Sequence, residues 1–180
     1  MASMNISARD HQRGGPHALV TLLEYGDYES HDCGQAYLII KRLQQEFGPE
    51  LRFAFRNFPV RKTHPNAEMA AEAVEAAAIQ GKFWEMHDLV FENQQDLQPE
   101  DLMRYARDAG LDMERFGKHL YDRTFGARVT EDFQSGIRAA VKVAPTFFLN
   151  GVKFEQDWSY NSLLQAIRSE LDQEIIRRAI

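Results

Sequence analysis

Ala18-Leu19-Val20-Thr21-Leu22-Leu23-Glu24-Tyr25-Gly26-Asp27-Tyr28-Glu29-Ser30-His31-Asp32-Cys33 is the stretch on which the fold turns. Its first eight residues are a nearly unbroken apolar run of strand length, the pattern of a strand covered on both faces. Gly26 and Asp27 punctuate it. From Ser30 the period becomes helical: Ala36, Ile40, Leu43 and Phe47 recur every three or four residues, and Gly48-Pro49 stops the helix. Leu51 to Arg56 alternates as a second strand does. Strand, helix and strand in so few residues make a β-α-β unit with a right-handed crossover, and so a parallel pair.

Downstream, the middle of the chain reads as short helices. An Ala-rich segment from Asn66 to Gln80 ends at Gly81, and Lys82 to Asn93 carries Phe83, Met86 and Val90 on one face. Gln98-Pro99-Glu100-Asp101 to Gly110 has proline at the first helical position, acids in the first turn and glycine past the end. Asp112 can cap a helix through Phe116 and Leu120, and Val129, Phe133, Ile137 and Ala140 mark another. Thr146 to Leu149, the turn Asn150-Gly151, and Val152 to Phe154 then form a tight hairpin. A stripe of Leu163, Leu164, Ile167, Leu171 and Ile175 closes the chain with a helix. The expected fold class is α/β, a central mixed sheet with helices on its faces and a helical insertion, about 64–140, between the β-α-β unit and the C-terminal hairpin and helix. Residues 1–17 read as a polar tail, and 18–180 as a single domain.

At 180 residues, 44% hydrophobic and 27% charged, the chain has ordinary globular composition. A net charge of -6 repels a phosphate backbone, so nucleic acid is not an expected partner. Its apolar runs fall far short of the roughly 20 residues of a membrane-spanning helix, so no membrane insertion is expected. The start of the chain lacks the apolar centre of a secretory signal, which makes the expected location cytoplasmic.

Cys33 is the single cysteine, so no internal disulfide can form. It falls in the first turn of a helix, where free amide N–H groups and the helix dipole favour a thiolate, while neighbouring Asp32 opposes one. The opposing reading is a small buried hydrophobe. Ser30, three residues earlier, is a preferred N-cap, and its hydroxyl can also point at a docked sulfur. Glu24 is the one carboxylate in an apolar strand. It is either a buried acid with a raised pKa, able to pass a proton near Cys33, or it reaches solvent or pairs with an arginine such as Arg56. Pro145 sits at the entry of the hairpin, where a cis bond would leave the Ala144 backbone open to an extended peptide. The six histidines show no metal-ligand spacing, so no metal is expected. His64 before Pro65 reads as a turn, and His87 as a helix-packing residue.

Leu23-Glu24-Tyr25-Gly26-Asp27-Tyr28-Glu29, His64-Pro65, Phe83-Trp84-Glu85-Met86-His87-Asp88 and Val141 to Gly151 together closely resemble the DsbA-like branch of the thioredoxin superfamily. Within that branch they are most similar to the thioredoxin-like domains fused to sodium/proton antiporters. The resemblance spans roughly Leu19 to Arg168. It implies a thiol-disulfide oxidoreductase relative with a thioredoxin fold, a cis Pro145 opposite the redox position, and Glu24 as the acid serving the thiols. His31, Asp32, Ala144 and Pro145 would then meet substrate.

Two departures stand out. Where the family carries Cys-x-x-Cys, this chain has Ser30 and Cys33, and a hydroxyl cannot attack a disulfide, so the two-thiol cycle cannot run inside the chain. Val143-Ala144 replaces the Gly-Thr or similar pair expected before the proline. Three activities follow as alternatives: a monothiol enzyme that borrows a second sulfur, a glutathione-binding transferase or isomerase using Ser30, and a non-catalytic peptide- or partner-binding module. No cofactor is expected beyond glutathione as a co-substrate. The expected partners are a small thiol or an extended peptide or protein disulfide, and a homodimer stays open.

Overall fold

The computed structural model describes residues 4–179. Its elements are β1 (His11–Gly14), β2 (Val20–Gly26), α1 (His31–Phe47), a 3-10 turn at Gly48–Glu50, β3 (Leu51–Asn57), α2 (Ala67–Ala78), α3 (Phe83–Glu92), α4 (Pro99–Asp108), α5 (Met113–Tyr121), α6 (Gly126–Arg138), β4 (Thr146–Leu149), β5 (Val152–Lys153) and α7 (Tyr160–Ala179). The five strands form one mixed sheet in the order β1-β3-β2-β4-β5. β2 and β3, joined by α1, are its parallel pair, and β1, β4 and β5 pair antiparallel to their neighbours.

By contact density the chain divides into two compact units. One comprises the residues through Tyr25, Gln35–Arg56 and the chain from Pro145 on. Its core is aromatic and aliphatic: Leu22, Leu23 and Tyr25 of β2, Leu43 of α1, Phe53 and Phe55 of β3, Phe147 of β4, and Leu163 and Ile167 of α7 are all essentially inaccessible. The β4–β5 turn has positive φ at both central residues, 46° at Asn150 and 80° at Gly151. That is the type I′ geometry which Asn-Gly tolerates and which matches the twist of the strands. The Asn150 side chain secures the turn by accepting from the Thr21 N–H at 2.9 Å and donating to Glu170 at 2.8 Å.

Within the segment read as a polar tail, His11–Gly14 forms the edge strand β1, in register from His11 against Phe55 to Gly14 against Arg52. The segment holds a second ordered feature. Asp10 is buried and takes both ends of the Arg56 guanidinium at 2.6 and 2.8 Å, and Arg56 also donates to the Tyr25 hydroxyl at 2.8 Å. Burial pushes the Asp10 carboxyl up, but the Arg56 hydrogen bonds and the Ser7 N–H outweigh it and hold the group below the usual carboxylate range.

The second unit comprises Gly26–Gly34 and Asn57–Ala144. Ala70, Ala71, Ala73, Val74, Ala76 and Ala77 let α2 be buried on most of its circumference, against α3, α5 and α6. Small side chains let helices approach closely, which explains an Ala-rich sequence at the centre of a helical cluster. Two carboxylates are buried with it. Glu72 is matched by Arg123 in a bidentate pair, and Glu75 accepts from the Asn57 amide at 2.8 Å. Asn57 also donates its backbone N–H to Asp132 at 3.0 Å, tying the end of β3 to α6.

Candidate functional site

Ser30 and Cys33 come together at the start of α1. Ser30 caps the helix: its Oγ accepts the Cys33 N–H at 3.4 Å, and its carbonyl accepts the Gly34 N–H at 3.1 Å. Ser30 is 6% exposed and Cys33 is 0% exposed. The Asp27 N–H points at the Cys33 sulfur, 3.4 Å away. This favours negative charge on the sulfur, but a fully covered sulfur cannot meet a disulfide without the loop opening. His31 and Asp32, the two residues between, are exposed.

The segment from Gly26 into the first turn of α1 is fastened at each step. Asp27 is buried. Its carboxylate accepts the Glu29 N–H at 2.8 Å and the Val60 N–H at 2.7 Å, and it bonds His64 Nδ1 at 2.8 Å. Glu29 accepts from the Asn66 N–H at 2.6 Å and from its amide at 2.9 Å. The Tyr28 hydroxyl meets His87 Nδ1 at 2.9 Å, with Phe91 4.8 Å from the tyrosine ring. The Gln94 amide donates to the Tyr28 and Ser30 carbonyls at 2.8 and 2.9 Å. A Cβ at Gly34 would stand 1.9 Å from the Gln94 Oε1, so any larger residue there must displace the Gln94 side chain.

His87, which the sequence reads as a helix-packing residue, is buried among Phe83, Trp84, Phe91 and Tyr28. Asp27, which reads in the sequence as punctuation, is the hub of the loop, and Gln94 is a second residue that the sequence does not single out. A carboxylate at a strand's end followed by a helix start is a signal that could have marked Asp27. No local pattern marks Gln94, whose partners lie more than 60 residues away.

Glu24 lies in the sheet unit, on β2 opposite Phe147 of β4, 2% exposed. Arg56 is engaged with Asp10 and not with Glu24, and the Glu24 Oε1 has no hydrogen-bond partner among the described residues. Burial alone pushes its carboxyl up to about 8, so the group is neutral at physiological pH and able to hold or release a proton. Ala144 is the last residue of the helical unit and half-buried, and Pro145 begins the final segment of the sheet unit and is buried. Val143 is 64% exposed. Among the described residues no three His, Cys, Asp or Glu side chains gather as metal ligands would, and no helix is long and apolar enough to cross a membrane.

A family model described as Thioredoxin matches residues 7–169. The chain belongs to the thioredoxin family. It is similar to the sodium/proton antiporter NhaA 3 of Salinispora tropica, 43% identical over 161 residues that make up 89% of this chain and 24% of that protein. It is likewise similar to NhaA 1 of Mycolicibacterium vanbaalenii, 39% identical over 163 residues, covering 89% and 26% of the two. The chain thus spans about a quarter of the length of these relatives. Among solved structures, oxidised BdbD from Bacillus subtilis superposes with a TM-score of 0.85 at 24% identity, covering 94% of this chain and 97% of that one. Alpha-DsbA1 of Wolbachia pipientis gives 0.81 at 16% identity, covering 97% and 96%. The thioredoxin-family fold here is therefore the DsbA-like form, and the chain carries a single cysteine, Cys33.

Proposed function

We propose that this domain recognises a thiol- or disulfide-bearing ligand at the start of α1 without carrying out dithiol exchange itself. The observation that carries the reading is the state of the two redox positions. The first holds a hydroxyl committed to capping, and the second holds a thiol with no exposed surface. Exchange needs a thiolate that can attack and a second that can resolve, and neither role is filled. What remains is a helix start suited to binding. Ser30 would donate to a docked sulfur, His31 and Asp32 would flank it, and the Ala144 backbone, in the same unit, would pair with an extended peptide. A small thiol such as glutathione is the simplest probe of that site. The reading places the domain in the cytoplasm, where a lone thiol stays reduced.

The test pairs a restored nucleophile with a ligand titration. Wild type should show no turnover of a fluorescent disulfide substrate with dithiothreitol as reductant, and Ser30→Cys should gain it. Reduced glutathione should raise the melting temperature. Ligand at a hundred times its dissociation constant adds about 2.7 kcal/mol, which is roughly 5–10 °C for a chain of this length. Turnover by wild type, or no stabilisation by glutathione or by an extended thiol peptide, would overturn the reading.

A further inference from the structure

We propose that Asp132 is a proton-operated latch on residues 57–60, and that its ionisation governs how often the cover over Cys33 opens. The inference concerns access to the site of the preceding reading and does not depend on what that site binds. The Asp132 side chain, on α6, is 4% exposed. Its Oδ2 accepts the Asn57 backbone N–H at 3.0 Å and the Asn57 amide at 3.3 Å, and the same amide donates to Glu75 of α2 at 2.8 Å. One guanidinium faces both carboxylates: Arg128 bonds Asp132 and lies 3.9 Å from Glu75. The next residues repeat the contact, with the rings of Phe58 and Phe133 stacked at 4.6 Å. The segment held in this way also fastens the Gly26–Gly34 segment. The Phe58 N–H donates to the Gly26 carbonyl at 2.7 Å, and the Val60 N–H to the Asp27 carboxylate at 2.7 Å. Asp27 in turn points its N–H at the Cys33 sulfur. A continuous run of contacts, all inside the helical unit, thus joins α6 to the covered sulfur.

The groups around Asp132 make this contact respond to a proton. Burial pushes the Asp132 carboxyl above the usual aspartate range; Arg128 and the Asn57 N–H oppose the rise, and Glu75 adds to it. Those are the charged and polar groups that face it. Glu131 is exposed, and Arg61, over the Phe133 ring, is paired with Glu68 at 2.7 Å. The Asn57 Oδ1 is buried without a hydrogen-bond partner among the described residues, so the closed contact leaves unsatisfied an acceptor that water reaches on opening. Opening also returns Asp132 to water and to its ordinary value. The closed form therefore holds the proton more tightly than the open one. The latch is at full strength below the ordinary aspartate value and weakens as pH rises towards the raised one, so a rise in pH favours opening. In the step itself the Asp132 O–H bond breaks, the proton goes to water and the electron pair stays on the carboxylate.

The reactivity of Cys33 in the native chain reads the opening. With a dithiodipyridine reagent, which still reacts with thiols in acid, the rate followed over hours is the opening constant times the reactivity of an uncovered thiol. That second factor and every other titration are common to wild type and Asp132→Asn, so the ratio of their rates isolates the latch. Asparagine keeps an oxygen for the Asn57 N–H and does not ionise. From acid to neutral pH the ratio of wild type to variant should rise by about tenfold, the size of a one-unit pKa difference between closed and open forms. A ratio constant in pH, whatever its size, would mean that Asp132 only supports the fold and would overturn the proposal. Glu75→Gln gives a second test that leaves Asp132 in place. It removes a charge that raises the Asp132 carboxyl, so its rate should climb less steeply with pH than that of wild type. Wild-type and Glu75→Gln profiles of equal slope would also overturn the proposal. No ligand is present in either assay, so a failure of glutathione to bind would strike the reading of the site and leave these results to judge the latch.

Discussion

Glu24→Gln keeps the shape of the side chain and removes its titration. In the folded chain the Glu24 carboxyl is pushed up to about 8, against 4.5 for an ordinary glutamate. Between these values the folded chain holds a proton that the unfolded chain has released, so stability must fall as pH rises, by about 1.4 kcal/mol per unit. The contribution is whole below the unfolded value and spent above the folded one. Over the full interval it amounts to about 5 kcal/mol, or roughly 10–20 °C in melting temperature for a chain of this length. Urea melts of wild type and variant at pH 5, 7 and 9 isolate the effect, because every other titrating group is common to both. The variant should gain about 4 kcal/mol relative to wild type between pH 5 and pH 9, the rest of the interval lying below pH 5. Parallel curves would refute the reasoning and would mean that the Glu24 carboxylate finds a partner or water in the fold.

Asp10→Ala should cost about 3–5 kcal/mol by leaving the Arg56 guanidinium buried without its counter-ion, read from the urea midpoint at pH 7. In wild type this pair's contribution should persist at neutral pH and fade in acid below the range of an unfolded carboxylate, since the Asp10 pKa is depressed. Gly34→Ala would ordinarily favour a helix by about 1 kcal/mol, but here the new Cβ displaces Gln94 and its two hydrogen bonds, so a net loss of about 1 kcal/mol is expected. In a Gln94→Ala background the same change should stabilise the chain, and this reversal of sign in a double-mutant cycle is the diagnostic result.

The framework was legible in the sequence wherever local chemistry and periodicity agreed. The β2 run, the spacing of α1, Pro99 opening α4, and Asn150-Gly151 each announce an element through a residue whose backbone preference admits few alternatives. The Ser30 cap was legible for the same reason, since an N-cap acts within three residues. What escaped depends on partners distant in sequence. β1 is a four-residue edge strand of His, Gln, Arg and Gly, half-exposed along most of its length and without the apolar alternation that marks a strand. Asp10 finds Arg56 46 residues on, and Glu72 finds Arg123 51 residues on. In an Ala-rich helix, Glu72 and Glu75 look like residues of a solvated face, and only the position of α6 and of the turn before it shows that they are buried and matched. For Cys33 the sequence allowed both a reactive thiol and an inert one, because burial is a tertiary property. The structure places the sulfur under full cover.

The most direct test of the account is the reactivity of that sulfur. An aromatic disulfide reagent added to the native chain at pH 7 should release well under one equivalent of chromophore over minutes, and one full equivalent once guanidinium unfolds the chain. Rapid stoichiometric reaction in the native state would show that Cys33 is an accessible thiol, and would contradict the claim that this redox position binds without exchanging.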